Sequence, residues 1–514
     1  MELSEDKQLK IGSLLSYLQM ILGIIIGIVY TPVMIRLLGQ SEYGLYNTVS
    51  STISMLSILS LGFNSSYINY YAKYKKEDNS EAIYKLNGLF LIIFLIIGAV
   101  ACICGIFLTE NLQFVFKDGL TDEEYAIARI LMILLTINLS VSFPMSVFSN
   151  IISAHERFVF LKLLSILKTV VSPLITLPLL LMGYKSIAMV SVTVGIAIIT
   201  DIFFLYYTFR KLKQKFIFHS FEKGLFKSLF IYTSFIAINL IVDQINLNID
   251  KLLLTRYKGT IAVAIYSVGF SLETYYQMFS TAISGIFTPR IHLIYNSPNV
   301  DEKEKDKQLS GLFIKIGRIQ FALLALIASG LIFFGKAFIR YWAGEGYGEA
   351  YYVALLLIIP ITIPLIQNVG IEIQRAKNKH QFRSIVYLIM AVMNLVLSIF
   401  LCQKYGAIGS AVGTAISLVI ANGIIMNIYY QKELKIEIVV FWKNILKMSI
   451  GLVVPIIIGI LIMRFISISS IWVLLGLIIG YTMIYCASMW LLGLNRYEKE
   501  LICKPLRKIF KRKV

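Results

Sequence analysis

The sequence predicts an all-α integral membrane protein with about fourteen transmembrane helices. Of its 514 residues, 58% are hydrophobic and only 15% are charged. Apolar runs follow one another along nearly the whole chain, and many reach the roughly 20 residues that cross a bilayer. Backbone groups in lipid must pair internally, so the spans are helices or a closed barrel. The runs are continuous rather than alternating, which favours helices.

Short connectors separate these runs, so little of the chain lies outside the membrane. The clearest runs, in chain order, are Ile11–Ile35, Tyr43–Ala72, Leu86–Thr109, Ile130–Ala154, Ala350–Ile371, Ser384–Gln403, Tyr405–Gln431 and Phe465–Asn495. Any function is therefore carried out in or across the bilayer.

The positive charges give the chain a predicted orientation. The formal net charge is +19, with 48 Lys and Arg residues. About three quarters of these cations fall in every second connector, beginning with the N-terminus. Cytoplasmic loops carry such an excess, so both termini are predicted to be cytoplasmic. The basic balance reflects topology, and we predict no nucleic-acid partner.

The chain also contains an internal repeat. Under a shift of 220 residues, Arg36, Gly39, Tyr46 and Pro144 fall on Arg256, Gly259, Tyr266 and Pro364. This favours two parallel six-helix bundles, a common plan among transporters, although coincidence within apolar sequence is the alternative. We predict bundles at residues 1–220 and 221–440, two extra helices at 441–495, and a basic cytoplasmic tail at 496–514.

The seventh predicted helix carries polar residues where lipid would exclude them. Asn239, Asp243, Asn246 and Asp250 are spaced by four, three and four residues, so they share one helical face. A charged residue at a helix centre costs about 2.5–3.5 kcal/mol on insertion scales. We therefore expect this face to line water or a polar partner.

Other polar residues suggest a central cavity built from the first, second, seventh and eighth helices. Guanidinium groups bind phosphate oxygens in pairs, so cations in such a cavity suit an anionic substrate. The candidate substrate-binding residues are Arg36, Lys251, Arg256, Arg290, Asn239 and Asn64. The candidates for coupling to H⁺ or Na⁺ are Asp243, Glu273 and Asp250. Structural ion pairs between helices are the alternative for Asp243, Glu273, Lys251 and Arg256.

The sequence contains few of the features expected of an enzyme. Its five cysteines and four histidines show no metal-ligand spacing, and no nucleotide-phosphate loop or paired catalytic carboxylates stand on a soluble segment. We predict a transporter with no catalytic residues, no metal site and no cofactor. A polymerase or glycosyltransferase would need a larger loop or domain outside the membrane.

Two hairpin motifs resemble a known family. The stretch Thr31–Tyr46, TPVMIRLLGQSEYGLY, presents Pro32, Arg36, Gly39 and Gly44 in the pattern of the first hairpin of Wzx-type polysaccharide-repeat-unit flippases. These belong to the multidrug/oligosaccharidyl-lipid/polysaccharide exporter superfamily. The segment 405–411, YGAIGSA, is similar to the hairpin before that family's twelfth helix.

The resemblance implies a flippase in the bacterial cytoplasmic membrane. Its substrate would be an undecaprenyl-diphosphate-linked oligosaccharide, moved by alternating access through the cationic cavity while the lipid tail stays in the bilayer. A polysaccharide polymerase and chain-length proteins are the expected partners. A lipid II-type flippase and a drug or cation antiporter of the same fold are the alternatives, and the cavity cations argue against the antiporter.

Overall fold

The computed structural model describes residues 5–221, 224–298, 300–501 and 503. Secondary structure in these residues is helical throughout, with no β-strand. Most of the basic tail predicted for residues 496–514 lies outside this set.

Nineteen α-helices make up the described chain. The first nine are α1 (Glu5–Leu38), α2 (Gln40–Met55), α3 (Phe63–Lys76), α4 (Ser80–Glu110), α5 (Leu112–Phe116), α6 (Asp122–Ala154), α7 (Phe158–Leu181), α8 (Lys185–Tyr206) and α9 (Leu225–Lys258). The others are α10 (Thr260–Gly285), α11 (Thr288–Tyr295), α12 (Glu302–Trp342), α13 (Ala350–Ile366), α14 (Val369–Ala376), α15 (Gln381–Leu418), α16 (Met426–Lys432), α17 (Ile438–Ser449), α18 (Val453–Phe465) and α19 (Ile471–Ser488).

The all-helical, membrane-spanning class is confirmed. Among the described residues, 9 helices are long and apolar enough to cross a membrane, or 10 if the bent pair α13 and α14 forms one span. The polar helices α9 and α10 do not meet this apolarity criterion. Two predicted spans merge in α15, which continues through a break at Gly406 (φ 60°). The count of fourteen, the two-bundle plan and the cytoplasmic termini stay predictions.

The chain forms two compact units. One comprises Met1–Ser267 with Leu395–Ser410, and the other comprises Val268–Asn394 with Ala411–Val514. The domain boundaries predicted from the repeat stay a prediction.

Each unit has its own aromatic core. In the first, α4 packs on α6 and α1 on α7, and the buried rings of Tyr67 and Phe90 meet edge to face at 5.2 Å between centroids. In the second, the ring centroid of Phe313 on α12 lies 5.0 Å from that of Phe441 and 5.8 Å from that of Tyr430. Edge-to-face pairs at these distances add to the free energy gained by burying the rings.

The two hairpins related by the repeat have the same form. Helices α1 and α9 both contain 34 residues. Each is followed by a single glycine, Gly39 or Gly259, with φ 79°. Glycine reaches this left-handed conformation without the strain that a Cβ would bring. The 220-residue shift therefore brings the two helix ends and the two glycine turns into register.

A polar network holds the connector between α8 and α9 against the first unit. The Asn87 amide donates to the Lys215 carbonyl at 3.1 Å and to Gln214 Oε1 at 3.4 Å. The His155 Nε2 atom lies 3.1 Å from the Tyr71 hydroxyl and 3.2 Å from Gln214 Nε2. Burial lowers the pKa of His155, which favours the neutral ring whose Nε2 accepts these hydrogen bonds.

A buried ion pair fixes the segment after α19 to α12. Arg318 Nε and Nη2 donate to the two carboxylate oxygens of Glu498 at 2.5 and 2.9 Å. The same guanidinium donates to the carbonyls of Asn444 and Gly493 at 2.9 and 3.0 Å. The two charged side chains are only 6% and 4% exposed. Bidentate geometry and additional hydrogen bonds are what a buried pair needs to offset desolvation.

We predict that Glu498→Gln lowers the Tm of the purified full-length protein by several degrees. Removing one partner of a buried pair costs about 3–5 kcal/mol, because the other charge stays buried. Thermal unfolding in detergent, followed by tryptophan fluorescence, measures the shift. The matched control is Glu345→Gln, which breaks the surface pair with Arg340 (61% and 79% exposed) and should not shift Tm. Equal shifts for the two variants would contradict a stabilising role for the buried pair.

Candidate functional site

The polar face predicted on the seventh helix lies on α9. Asn239 and Asp243 are exposed and Asn246 is half-buried, whereas Asp250, closer to the C-terminal end of α9, is buried. Beside this face, the buried Asn248 donates to Gln244 Oε1 at 2.7 Å. The face therefore changes along the helix from an accessible end to one that is closed by packing.

Asp250 is fully hydrogen-bonded within the first unit. Its Oδ1 accepts from the Ser410 hydroxyl at 2.6 Å, and its Oδ2 accepts from the Tyr266 hydroxyl at 2.8 Å. The neighbouring Lys251 interacts with it electrostatically. These contacts join α9 to α10 and α15 through a buried carboxylate. The ion-coupling role of Asp250 stays a prediction.

The candidate substrate-binding arginines lie in three different settings. Arg36 is exposed in the last turn of α1. Arg256 donates to the carbonyls of Phe114 and Val115 at 3.3 and 3.1 Å, at the end of α5. Arg290 is exposed on α11. It lines an open cavity of about 470 Å³ with Ile286, Pro289, Leu293, Ile294 and Ser297.

Asn64 lies at a contact between two helices. Its Oδ1 accepts from Asn150 Nδ2 at 2.7 Å and from the Ser146 hydroxyl at 3.3 Å, which ties α3 to α6. These bonds connect two helices, and the substrate-binding role of Asn64 stays a prediction.

Glu273 is a buried carboxylate with one unsatisfied oxygen. It is 3% exposed on α10. Its Oε1 accepts a hydrogen bond from Gln277, while Oε2 has no partner among the described residues. Removing an ionised carboxylate from water without full pairing is costly, so this site favours a bound proton or cation.

Sequence analysis missed a cluster of contacts between the two related hairpins. Glu124 Oε1 accepts from Ser41 at 2.5 Å and from Thr260 at 2.6 Å. The Thr48 and Thr255 hydroxyls lie 2.6 Å apart. The Thr121–Glu124 capping box is a sequence pattern that marks the start of a helix. The pattern does not reveal which distant residues bond to Glu124. We call the contacts among Ser41, Thr48, Glu124, Thr255 and Thr260 the hairpin clasp.

Close backbone packing holds α2 against the start of α10, and the connector before α6 against α9. A Cβ added at Gly44 would collide with the Thr260 carbonyl, and one added at Gly119 would collide with the Thr255 carbonyl. All of these residues belong to the first unit. Small residues permit this close approach of helices in membranes.

Comparison with known proteins decides the family. A family model described as "Polysaccharide biosynthesis protein" matches residues 10–292. This chain belongs to that polysaccharide biosynthesis protein family. The Wzx-type resemblance predicted from the hairpins is thereby confirmed.

Two curated relatives agree with the family. A Shigella flexneri protein named "Putative O-antigen transporter" is 20% identical over 396 residues, covering 75% of this chain and 89% of the relative. The Staphylococcus aureus "Capsular polysaccharide biosynthesis protein CapF" is 26% identical over 212 residues, covering 41% of this chain and 51% of CapF.

Solved structures identify the fold as that of the MurJ and multidrug-exporter transporters. The lipid II flippase MurJ, in an inward closed conformation, matches with a TM-score of 0.72 and 15% identity, covering 96% of this chain and 99% of MurJ. An inward-facing multidrug transporter matches with a TM-score of 0.64 and 13% identity, covering 83% of this chain and 95% of that transporter. Family and fold point to a membrane transporter.

We predict that Gly44→Ala destabilises the protein and Gly23→Ala does not. The added methyl group at Gly44 meets the Thr260 carbonyl, whereas nothing lies within 4 Å of a Cβ at Gly23. Both substitutions are glycine to alanine within a helix, so their intrinsic effects match. Membrane levels and Tm in detergent measure the difference. Equal behaviour of the two variants would contradict the close packing of the hairpins.

Proposed function

We propose that this protein is a flippase that carries polyprenyl-diphosphate-linked oligosaccharide repeat units from the inner to the outer leaflet of the bacterial cytoplasmic membrane. The observation that carries the proposal is family membership over residues 10–292, together with a flippase fold that covers 96% of the chain. The names of the O-antigen and capsular polysaccharide relatives support the substrate class.

The polar residues give this function a physical route. A diphosphate and its sugars need a polar surface inside the bilayer, which the exposed Asn239 and Asp243 on α9 begin to supply. Arg36, Lys251, Arg256 and Arg290 are the cations that we propose for the diphosphate. The lipid tail stays in the hydrocarbon, so only the head group crosses through protein.

We propose that the hairpin clasp opens during alternating access, although all of its residues lie in one compact unit. The predicted bundles place α2 in the first six-helix half and α9 in the second, and rocking of the halves would separate them. The clasp holds α2 against α9 through Thr48 and Thr255. Its hydroxyl contacts are weak enough individually to break during a transport cycle.

Glu273 supplies a candidate for energy coupling. A proton or Na⁺ bound at its unsatisfied oxygen would be released when the site gains access to the other side of the membrane. Asp243 is a second candidate because it is exposed on the polar face of α9. Asp250 is the third, although its two hydrogen bonds must first rearrange.

Complementation tests the function. Wild-type protein, expressed in a strain that lacks its polysaccharide flippase, should restore surface polysaccharide and clear the accumulated lipid-linked intermediate. We predict that Arg256→Ala, Asp243→Asn and Glu273→Gln reduce rescue at least tenfold at normal membrane levels. The controls Arg340→Ala and Glu345→Gln change an exposed pair and should retain rescue. Rescue of a strain depleted of its lipid II flippase, without rescue of polysaccharide strains with varied repeat units, would overturn the proposal in favour of lipid II.

We also predict that a disulfide between Thr48→Cys and Thr255→Cys blocks transport. The native hydroxyls are 2.6 Å apart, which places the two positions within reach of a disulfide. The pair is built after the five native cysteines have been replaced by serine. Oxidation should abolish rescue or flipping, and reduction should restore it.

Each single-cysteine variant is the control for oxidation itself. Continued transport by a protein that mass spectrometry shows to be fully cross-linked would mean that the clasp does not open during the cycle.

A further inference from the structure

The connector between α8 and α9 begins where a candidate membrane span ends. The span Lys185–Lys211 covers α8 and the π-helical turn Tyr207–Lys211 that follows it. Residues 212–221 continue from this turn without regular secondary structure, and they belong to the first unit. The connector therefore starts at a boundary of the membrane.

The ends of two other spans contact the same connector. The Ile217 amide donates to the Tyr84 carbonyl at 3.0 Å, near the start of the span Ser80–Glu110. Gln214 Nε2 lies 3.2 Å from Nε2 of His155, which directly follows the span Asp122–Ala154. Because three span ends meet at this segment, residues 212–221 lie at the membrane surface and not within the hydrocarbon.

The connector is held in place by contacts of its inward residues. The Lys215 carbonyl accepts from Asn87 Nδ2 at 3.1 Å. The ring of Phe216 packs on those of Phe148 and Phe209, with 5.7 and 5.5 Å between centroids. These contacts fix the backbone and leave the side chains between them free to face outward.

The cationic side chains of this segment are all exposed, whereas Leu212, Gln214 and Phe216 between them are half-buried. We define the basic surface as the four exposed cations Arg210, Lys211, Lys213 and Lys215. Among the described residues, none of these four side chains has a hydrogen bond or an ion pair. Residues 207–221 contain no Asp or Glu, and Glu222 lies outside the described set. The positive charge is thus not balanced within the segment.

Exposed aromatic rings lie beside the basic surface. Tyr206, Phe209 and Phe218 are 57%, 45% and 53% exposed. Aromatic rings flanked by cations at the end of a membrane helix are typical of the interface between lipid headgroups and hydrocarbon. The segment therefore presents rings to the acyl boundary and cations to the headgroups.

We propose that the basic surface binds the phosphate groups of anionic phospholipids in the leaflet where these three spans end. Juxtamembrane cations are attracted to anionic lipids, and both lysine and arginine bind phosphate oxygens. Because the backbone is already fixed, binding orders only side chains. Anionic lipid would anchor the connector that joins the two predicted bundles.

The positive-inside rule alone does not account for this surface. That rule needs only an excess of cations on the cytoplasmic side, in any conformation. Here four cations without partners among the described residues lie on a fixed segment, next to exposed rings. This arrangement is complementary to a layer of phosphate groups, and the proposal does not depend on the flippase function.

Native mass spectrometry of the purified full-length protein tests the surface. The probes are phosphatidylglycerol and the zwitterionic phosphatidylcholine, each added to protein in neutral detergent. We expect the wild type to bind phosphatidylglycerol at least tenfold more tightly than phosphatidylcholine. Replacing Lys211, Lys213 and Lys215 together by Gln should weaken phosphatidylglycerol binding at least fivefold, because each cation adds to the attraction. Replacing the same three by Arg should keep binding within twofold of wild type.

The matched control removes the same charge elsewhere. Replacing Lys303, Lys305 and Lys307 together by Gln lowers the net charge equally, but these lysines alternate with acidic residues in the segment 301–307. This control should bind phosphatidylglycerol as the wild type does. Equal weakening by the two glutamine variants would assign the effect to net charge and overturn the proposal, as would wild-type binding by the variant at 211, 213 and 215.

A second arm distinguishes other occupants. If undecaprenyl phosphate binds the wild type at least tenfold more tightly than phosphatidylglycerol, and the variant at 211, 213 and 215 loses that binding, the surface belongs to the polyprenyl substrate and the phospholipid assignment is wrong. A wild type that shows no preference for phosphatidylglycerol over phosphatidylcholine also overturns the proposal, and leaves an acidic protein segment as the occupant to test.

Thermal unfolding separates lipid binding from a role in the fold. The three lysines are exposed, so the glutamine variant should keep the wild-type Tm in lipid-free detergent. A lowered Tm together with unchanged phosphatidylglycerol binding would mean that the lysines act in the fold, and would overturn the proposal. Lipid binding is measured without transport, so a failure of the flippase function would leave this result unaffected.

Discussion

Polar groups inside a bilayer must find partners within the protein, and the structure of this chain depends on how each one does so. Hydrocarbon offers no hydrogen bonds, so an unsatisfied group costs several kcal/mol. Asp250 is satisfied by two hydroxyls, and Arg318 by Glu498 and two carbonyls. Glu273 keeps one carboxylate oxygen without a hydrogen-bond partner among the described residues. The satisfied groups hold helices together, and Glu273 is the group for which we propose a bound proton or cation.

Much of the fold could be predicted because its signals are local. Long apolar runs gave the membrane helices, and the glycines at 39 and 259 gave two turns of the same form. The motif around Arg36 gave the family, which the match over residues 10–292 confirms. Polar spacing on α9 predicted a shared face, and the structure shows that this face is exposed at one end and buried at the other.

The site was harder to predict because its partners are distant in sequence. Asp250 bonds to Ser410, and Glu124 to Ser41 and Thr260, through packing that no spacing rule encodes. Asn64 was predicted to bind substrate, but its hydrogen bond to Asn150 joins α3 to α6, which fits helix packing as well as binding.

Reconstitution tests the central claim of a flippase most directly. The purified protein would be placed in vesicles that contain a polyprenyl-diphosphate-linked oligosaccharide, and a membrane-impermeant lectin added outside would report which sugars are accessible. We predict that the pool protected in protein-free vesicles becomes accessible with the wild type, and more slowly with Glu273→Gln. A protected pool that stays at the protein-free level, with protein whose Tm shows it to be folded, would contradict the account.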